Sequence, residues 1–222
     1  MSYRPIKKDF TEGTVKCFFC NRPLKSLKTY ILENIYNNEL VNSGPTCAAK
    51  NLDKQYNLNI IPDLTKYTLS TQTEDEEELF SNNDNGKRNN STLTTEDRNL
   101  RTAIEYLELR ENKLAENFQT SYPTLKNYYT IYQNTRILDS DSVNHILNIE
   151  KKAPENYKLR NLQMCYNYSF WLIISIKKLD KEANNFLSPV YEYLKKKMRI
   201  TEKQKNGINN WLKKLDGIPQ LK

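Results

Sequence analysis

At 222 residues the chain has room for one large domain or two small ones, and with only 37% hydrophobic residues part of it is expected to stay outside any packed core. Thirty-four Lys and Arg against 27 Asp and Glu leave a formal charge of +7, a surplus that favours polyanionic partners. The longest apolar run, residues 170–174, is far short of the about 20 needed to span a bilayer, and the start MSYRPIKKDF lacks a secretory apolar core. An intracellular, non-secreted protein with reduced cysteines and no membrane partner is expected.

In chain order, residues 1–15 read as a polar arm closed by a Glu12-Gly13 turn, and residues 14–19 (TVKCFF) as a short strand. Cys17 and Cys20 follow with a two-residue spacer, which folds both sulfurs onto one side of a turn and supplies half of a tetrahedral zinc site. The other half offers only Cys47, in a Gly-Pro-Thr-Cys turn that looks like the first turn of a helix. Three thiolates are therefore expected to hold a structural zinc, with Asp53, Asp9, Cys165, His145 or a water completing the shell. The alternative is three reduced cysteines in a metal-free apolar knuckle. Between the half-sites, residues 26–41 fit a β-hairpin across Asn37-Asn38 better than a helix. After Cys47 a helix is expected to about Tyr56 with Ala48, Ala49 and Leu52 inward, and residues 59–69 are read as extended, with their isoleucines on the knuckle.

The run Cys17-x-x-Cys20-Asn21-Arg22-Pro23-Leu24, then Gly44-Pro45-Thr46-Cys47-Ala48-Ala49-Lys50, resembles a zinc-ribbon or zinc-knuckle module of bacteriophage and viral proteins, typically C-x-x-C-G-R-x-L followed by G-x-G-P-x-C. Asn21 stands where that pattern has glycine, a mild departure because Asn tolerates the left-handed backbone. Ser43 precedes Gly44 without the earlier glycine, and the insert between the half-sites is longer than usual. The resemblance implies a nucleic-acid-facing module in a phage or viral protein, working in the cytoplasm or nucleus of a host.

Residues 71–99 carry five consecutive acids, Glu74, Asp75, Glu76, Glu77 and Glu78, with almost no apolar side chains. Such a stretch buries too little to offset the entropy of ordering it, so it is read as a disordered linker between residues 1–70 and a helical bundle over 100–222. The fold class expected is thus mainly α, with a small N-terminal zinc-ribbon of α+β type. Charge follows the same division. Ten basic residues face six acidic ones in 1–70, three face eight in 71–100, and twenty-one face thirteen in 101–222.

In the bundle, Thr94 or Thr95 caps a helix carrying Leu100, Ala103, Ile104, Leu107, Leu109 and Leu114. Pro123 starts a second, Asp139 to Ser142 cap a third, and residues 157–179 read as the central buried helix, with Cys165 a small hydrophobe within it. A weak internal repeat aligns Arg136-Ile137-Leu138 with Arg199-Ile200-Thr201, each after a tyrosine-bearing helix, with a break at Ser188-Pro189 matching the one before Pro123. Residues 186–215 also resemble a helix-turn-helix ending seen in phage replication and recombination accessory proteins.

Nucleic acid is the expected partner, held by stacking on aromatic rings and by cations on phosphate. Candidate contacts are Arg22, Lys25 and Lys28 beside the knuckle, and Lys195, Lys196, Lys197, Arg199, Lys203 and Lys205 around the last two helices. One histidine, no glycine-rich phosphate loop, no G-x-S-x-G and no H-E-x-x-H argue against an enzyme and against a small-molecule substrate. A protein-interaction factor docking on a viral or host machine, with zinc as a folding staple, is the alternative.

Overall fold

In a computed structural model of the chain, which describes residues 2–66, 93–215 and 218–221, a small antiparallel sheet lies against a larger set of helices. The sheet has the order β1 (Tyr3–Phe10), β2 (Lys28–Asn34), β3 (Leu40–Ser43). The hairpin expected across Asn37-Asn38 is the β2–β3 turn, with Asn38 in the left-handed conformation at φ 59. The polar arm expected over residues 1–15 is instead β1, paired with β2 from Tyr3↔Asn34 to Phe10↔Lys28. A bulge between Pro5 and Lys7 breaks its alternation, and two of its buried side chains, Lys7 and Asp9, are charged. Their helical partners lie between 101 and 157 residues away, which is why the segment reads as solvated in the sequence.

Other expectations shift at their edges. Residues 14–19 form no strand: Lys16 makes one bridge to Pro23, and residues 18–20 turn. The helix expected after Cys47 already begins before it, as α1 (Pro45–Asn51), and stops short of Tyr56; Ala49 is exposed, and Leu52 makes a parallel bridge to Tyr3. Tyr3, Leu32, Val41 and Ala48 form the small core of this part, with Phe19 edge-on to Tyr3 at 5.1 Å. From the stretch expected to pack isoleucines on the knuckle, Leu64 enters the helical core instead, and Asn167 Nδ2 donates to its carbonyl at 2.8 Å. Most of the expected linker lies outside the described residues, and its last part, from Thr95, is already helical.

The helices are α2 (Thr95–Leu107), α3 (Ala115–Phe118), α4 (Pro123–Thr135), α5 (Ser140–Lys152), α6 (Leu159–Lys178), α7 (Lys181–Lys197) and α8 (Glu202–Leu212). Their starts follow from local chemistry. Thr94 with Asp97 and Thr201 with Gln204 make capping boxes, and Asp139 and Asp180 cap α5 and α7. Helix α6 buries Leu162, Cys165, Tyr168, Trp171, Leu172 and Ile174, as expected of the central helix. Among the described residues no helix is long and apolar enough to cross a membrane.

The break expected at Ser188-Pro189 is absent, and the helix ends that correspond are shifted by one residue. Helix α7 runs straight through Ser188-Pro189, because Ala183, Leu187, Val190 and Leu194 bury one continuous face that outweighs the hydrogen bond proline removes. The matching positions are Arg136 and Met198, both left-handed (φ 59 and 52), each followed by two residues and a capping side chain. Arg136 and Arg199 are therefore out of register by one residue.

Between α2 and α3 the chain makes a wide turn, Glu108–Lys113, in which Leu114 N donates to Leu109 O, five residues back. Glu108, Leu109 and Arg110 are all buried there. This turn and α6 meet β1 along a charged seam. Lys7 Nζ donates to Glu108 at 2.8 Å, Lys113 Nζ to Asp9 at 2.7 Å, and Tyr166 Oη to Asp9 at 2.6 Å. Beside these, the Phe10 ring stacks on Phe170 at 4.2 Å.

Another buried carboxylate, Glu105, accepts from Lys66 at 3.0 Å and from Gln163. Burial raises its pKa above the ordinary 4.5 despite Lys66. The folded chain thus holds a proton there that the unfolded chain has already released, and stability is expected to fall as pH rises from 4.5 through the raised value. Urea unfolding of Glu105→Gln across that window checks it: the slope of stability against pH should lose up to one proton's worth of linkage.

Candidate metal centre

The three cysteines picked out by spacing come together. Their sulfurs all lie within 4.8 Å of one another, although Cys17 and Cys47 stand on different elements. A thiolate-bound zinc at about 2.3 Å per bond holds its sulfurs about 3.8 Å apart, so small side-chain adjustments seat an ion.

Local hydrogen bonds build the first half. Cys17 N donates to Arg22 O and Asn21 N to Cys17 O, each at 2.8 Å, and Leu24 N donates to Val15 O at 2.8 Å. Asn21 takes the left-handed conformation, φ 59, in which asparagine replaces glycine at little cost. Phe18 N then donates to Asn42 O at 2.8 Å, docking the turn on β3. The second half follows directly from that strand: Ser43 ends β3, Gly44 caps α1, Pro45 takes its first position, and Cys47 falls in its first turn. Gly44 also leaves room for Leu24, whose Cδ2 would lie 3.3 Å from an added Cβ.

Electrostatics divide the sulfurs. Burial alone would push the Cys17 thiol up, but the N–H groups of Gly44, Cys20 and Phe19 and the Ser43 hydroxyl bring it down to about 6. Burial, together with Cys20 and Cys17, pushes Cys47 up to about 11. The cluster thus holds one anchored thiolate beside a thiol that keeps its proton until a cation arrives. Cys17, Cys20 and Cys47 are compatible with a metal site on donor type and spacing.

The residues considered for the fourth corner are placed elsewhere. Asp9 is engaged by Lys113 and Tyr166. Asp53 accepts from Ser2 Oγ at 2.6 Å, which with Gln55 N lowers its pKa. Cys165, pushed up to about 12 by burial, donates to Met198 O at 3.2 Å within the helical core, the small hydrophobe the sequence suggests. His145 sits on α5 with Nδ1 2.8 Å from Tyr128 Oη. Among the described residues no further His, Cys, Asp or Glu joins the three sulfurs.

Of the basic residues singled out, Arg22 and Lys25 are exposed beside the cysteine turn, and Lys28 is half-buried in β2 with its own partner. Lys196, Lys197, Arg199 and Lys203 are exposed around the α7–α8 junction. Lys195 pairs with Glu192 and Lys205 with Glu202, both three residues apart on one helix. One residue that sequence reasoning passed over stands out: Phe18, between the two cysteines, is 53% exposed. Its signal was the second phenylalanine of C-F-F-C, since Phe19 packs on Tyr3 and one turn buries only one of the pair. No family model, no curated protein and no solved structure matches the chain.

Proposed function

We propose that this chain is a non-enzymatic accessory protein that binds nucleic acid, with a zinc ion stapling the N-terminal module, in a phage or viral replication, recombination or transcription complex. Zinc is inferred because three thiolates select a soft or borderline ion and a mostly cysteine shell suits a structural role. The observation that carries the binding reading is the half-exposed Phe18 ring among exposed cations, Lys16, Arg22 and Lys25, on a surface whose sequence from Gly13 to Leu32 contains no acidic residue. An aromatic face flanked by phosphate-binding cations is what single strands are held by. The exposed Lys196, Lys197, Arg199 and Lys203 supply a second basic surface.

Binding of labelled single- and double-stranded nucleic acid across a salt series tests this. Single strands should bind with log affinity falling by about 0.7 per phosphate neutralised for each unit of log salt. Phe18→Ala should cost about 1–3 kcal/mol with the salt slope unchanged, and Arg22→Ala with Lys25→Ala should flatten the slope. Absence of binding at low salt would leave the second reading, docking on a viral or host protein. That reading is favoured by Tyr36, Leu40 and Ile137, all exposed. Leu40 pairs across the sheet with Glu33, and Glu33 binds Arg136, next to Ile137.

A further inference from the structure

Among the described residues, a tetrahedral ion held by Cys17, Cys20 and Cys47 has one corner left. All four cysteines and the one histidine of the chain lie among the described residues. Cys165 and His145 are committed to the helices, and Asp9 and Asp53 to Tyr166 and Ser2. The cluster is closed on one side and open on the other. Cys17 is buried under the N–H groups of Gly44, Cys20 and Phe19 and the Ser43 hydroxyl, whereas Cys20 is exposed and Cys47 half-exposed. Charge permits a further soft donor. Three thiolates around a divalent ion leave one net negative charge, which the donors on Cys17 and the exposed Lys16, Arg22, Lys25 and Lys50 disperse.

We propose that the ion at this centre carries an exchangeable fourth ligand, and that the corner accepts an imidazole or a thiolate from another protein molecule, with water holding it otherwise. The inference rests on the metal reading above and adds to it that the centre is a point of attachment as well as a staple. An ion with three protein ligands and a replaceable fourth keeps the ligand-exchange capacity that a closed four-cysteine site lacks.

Cobalt(II) in place of zinc, in the full chain, separates the two readings. The near-ultraviolet thiolate-to-cobalt charge-transfer band reports the three cysteines, and the visible d–d bands report the fourth donor. Titration with imidazole is expected to shift the d–d bands saturably at constant charge-transfer intensity. Titration with 2-mercaptoethanol should raise the charge-transfer intensity by about a third, one thiolate added to three. A shift that grows with protein concentration when no free ligand is added assigns the donor to a second copy; a saturable response to the free ligands without that shift leaves the corner to a donor from a different protein. A three-thiolate charge-transfer band with d–d bands indifferent to both ligands overturns the proposal, because the chain then fills the corner itself. Absence of any charge-transfer band removes the metal reading and the proposal with it.

Discussion

Replacing Cys17 by serine is expected to reduce bound zinc from one ion per chain to none and to release the turn around it, while the helices stay folded. Cys17 is the buried member of the trio and the one whose sulfur collects four donors, so its loss removes the anchored thiolate on which the other two assemble. The turn has little else to hold it: between Thr14 and Leu27 only Cys17 and Leu27 are fully buried. Structural zinc sites in small peptides contribute about 10–16 kcal/mol at neutral pH, far more than two buried side chains supply. Binding must displace the Cys47 proton, held up to about 11 in the metal-free cluster, so metal affinity should weaken as pH falls. Metal analysis and hydrogen exchange are the measurements. On chelation the Asn21 and Leu24 amides, donors to Cys17 O and Val15 O, should lose protection while α6 keeps its own. Cys165→Ser should leave the metal content unchanged, since that thiol bonds Met198 O inside the helical core. A metal-free chain with the Asn21 amide still protected would sink the zinc reading.

What the sequence discloses here is whatever is decided within a few residues. The Cys17–Cys20 turn, the hairpin at Asn38 and the boxes at Thr94 and Thr201 each close through partners no more than five residues apart, so spacing and residue type suffice to find them. Strand β1 fails that test. Lys7 and Asp9 belong in solvent by every local criterion, and only Glu108, Lys113 and Tyr166 bring them inside. Pro189 fails it in the other direction: a local breaker is overruled by a buried face spanning about three turns of α7. The metal centre divides the same way. Three candidate ligands were legible because C-x-x-C and Gly-Pro-x-Cys are local patterns, whereas the fate of Asp9, Asp53, Cys165 and His145 depends on contacts made elsewhere in the fold.

The charged seam between sheet and helices should be the most sensitive spot outside the metal centre, and Glu108 its most costly residue. Glu108 is 1% exposed and accepts from Lys7 at 2.8 Å, Asn112 at 3.0 Å and Gln133 at 3.4 Å. Glu108→Ala leaves the Lys7 ammonium buried without its main partner, a change that costs about 3–5 kcal/mol in comparable pairs. Asp9 lies 3.8 Å from Lys7 Nζ and offers partial compensation, which places the expected loss near the lower end, at about 3 kcal/mol. Removing both charges together is a different matter. In Lys7→Met with Glu108→Met no uncompensated charge remains, and stability should return to within about 1 kcal/mol of the parent. Urea unfolding of the two single variants and the double isolates the coupling, and strictly additive losses would show that the pair does not act as a unit. Arg136→Ala should cost less, because Arg4 still holds the buried Glu33 carboxylate that Arg136 leaves. The seam also links the two halves of the proposed function. Lys7 and Asp9 sit on the strand whose Tyr3 packs against Phe18 and Phe19, so loosening β1 from the wide turn at Glu108 should disturb the cysteine turn as well as the helices. In Glu108→Ala, zinc affinity should therefore fall along with stability, although no ligand has been touched.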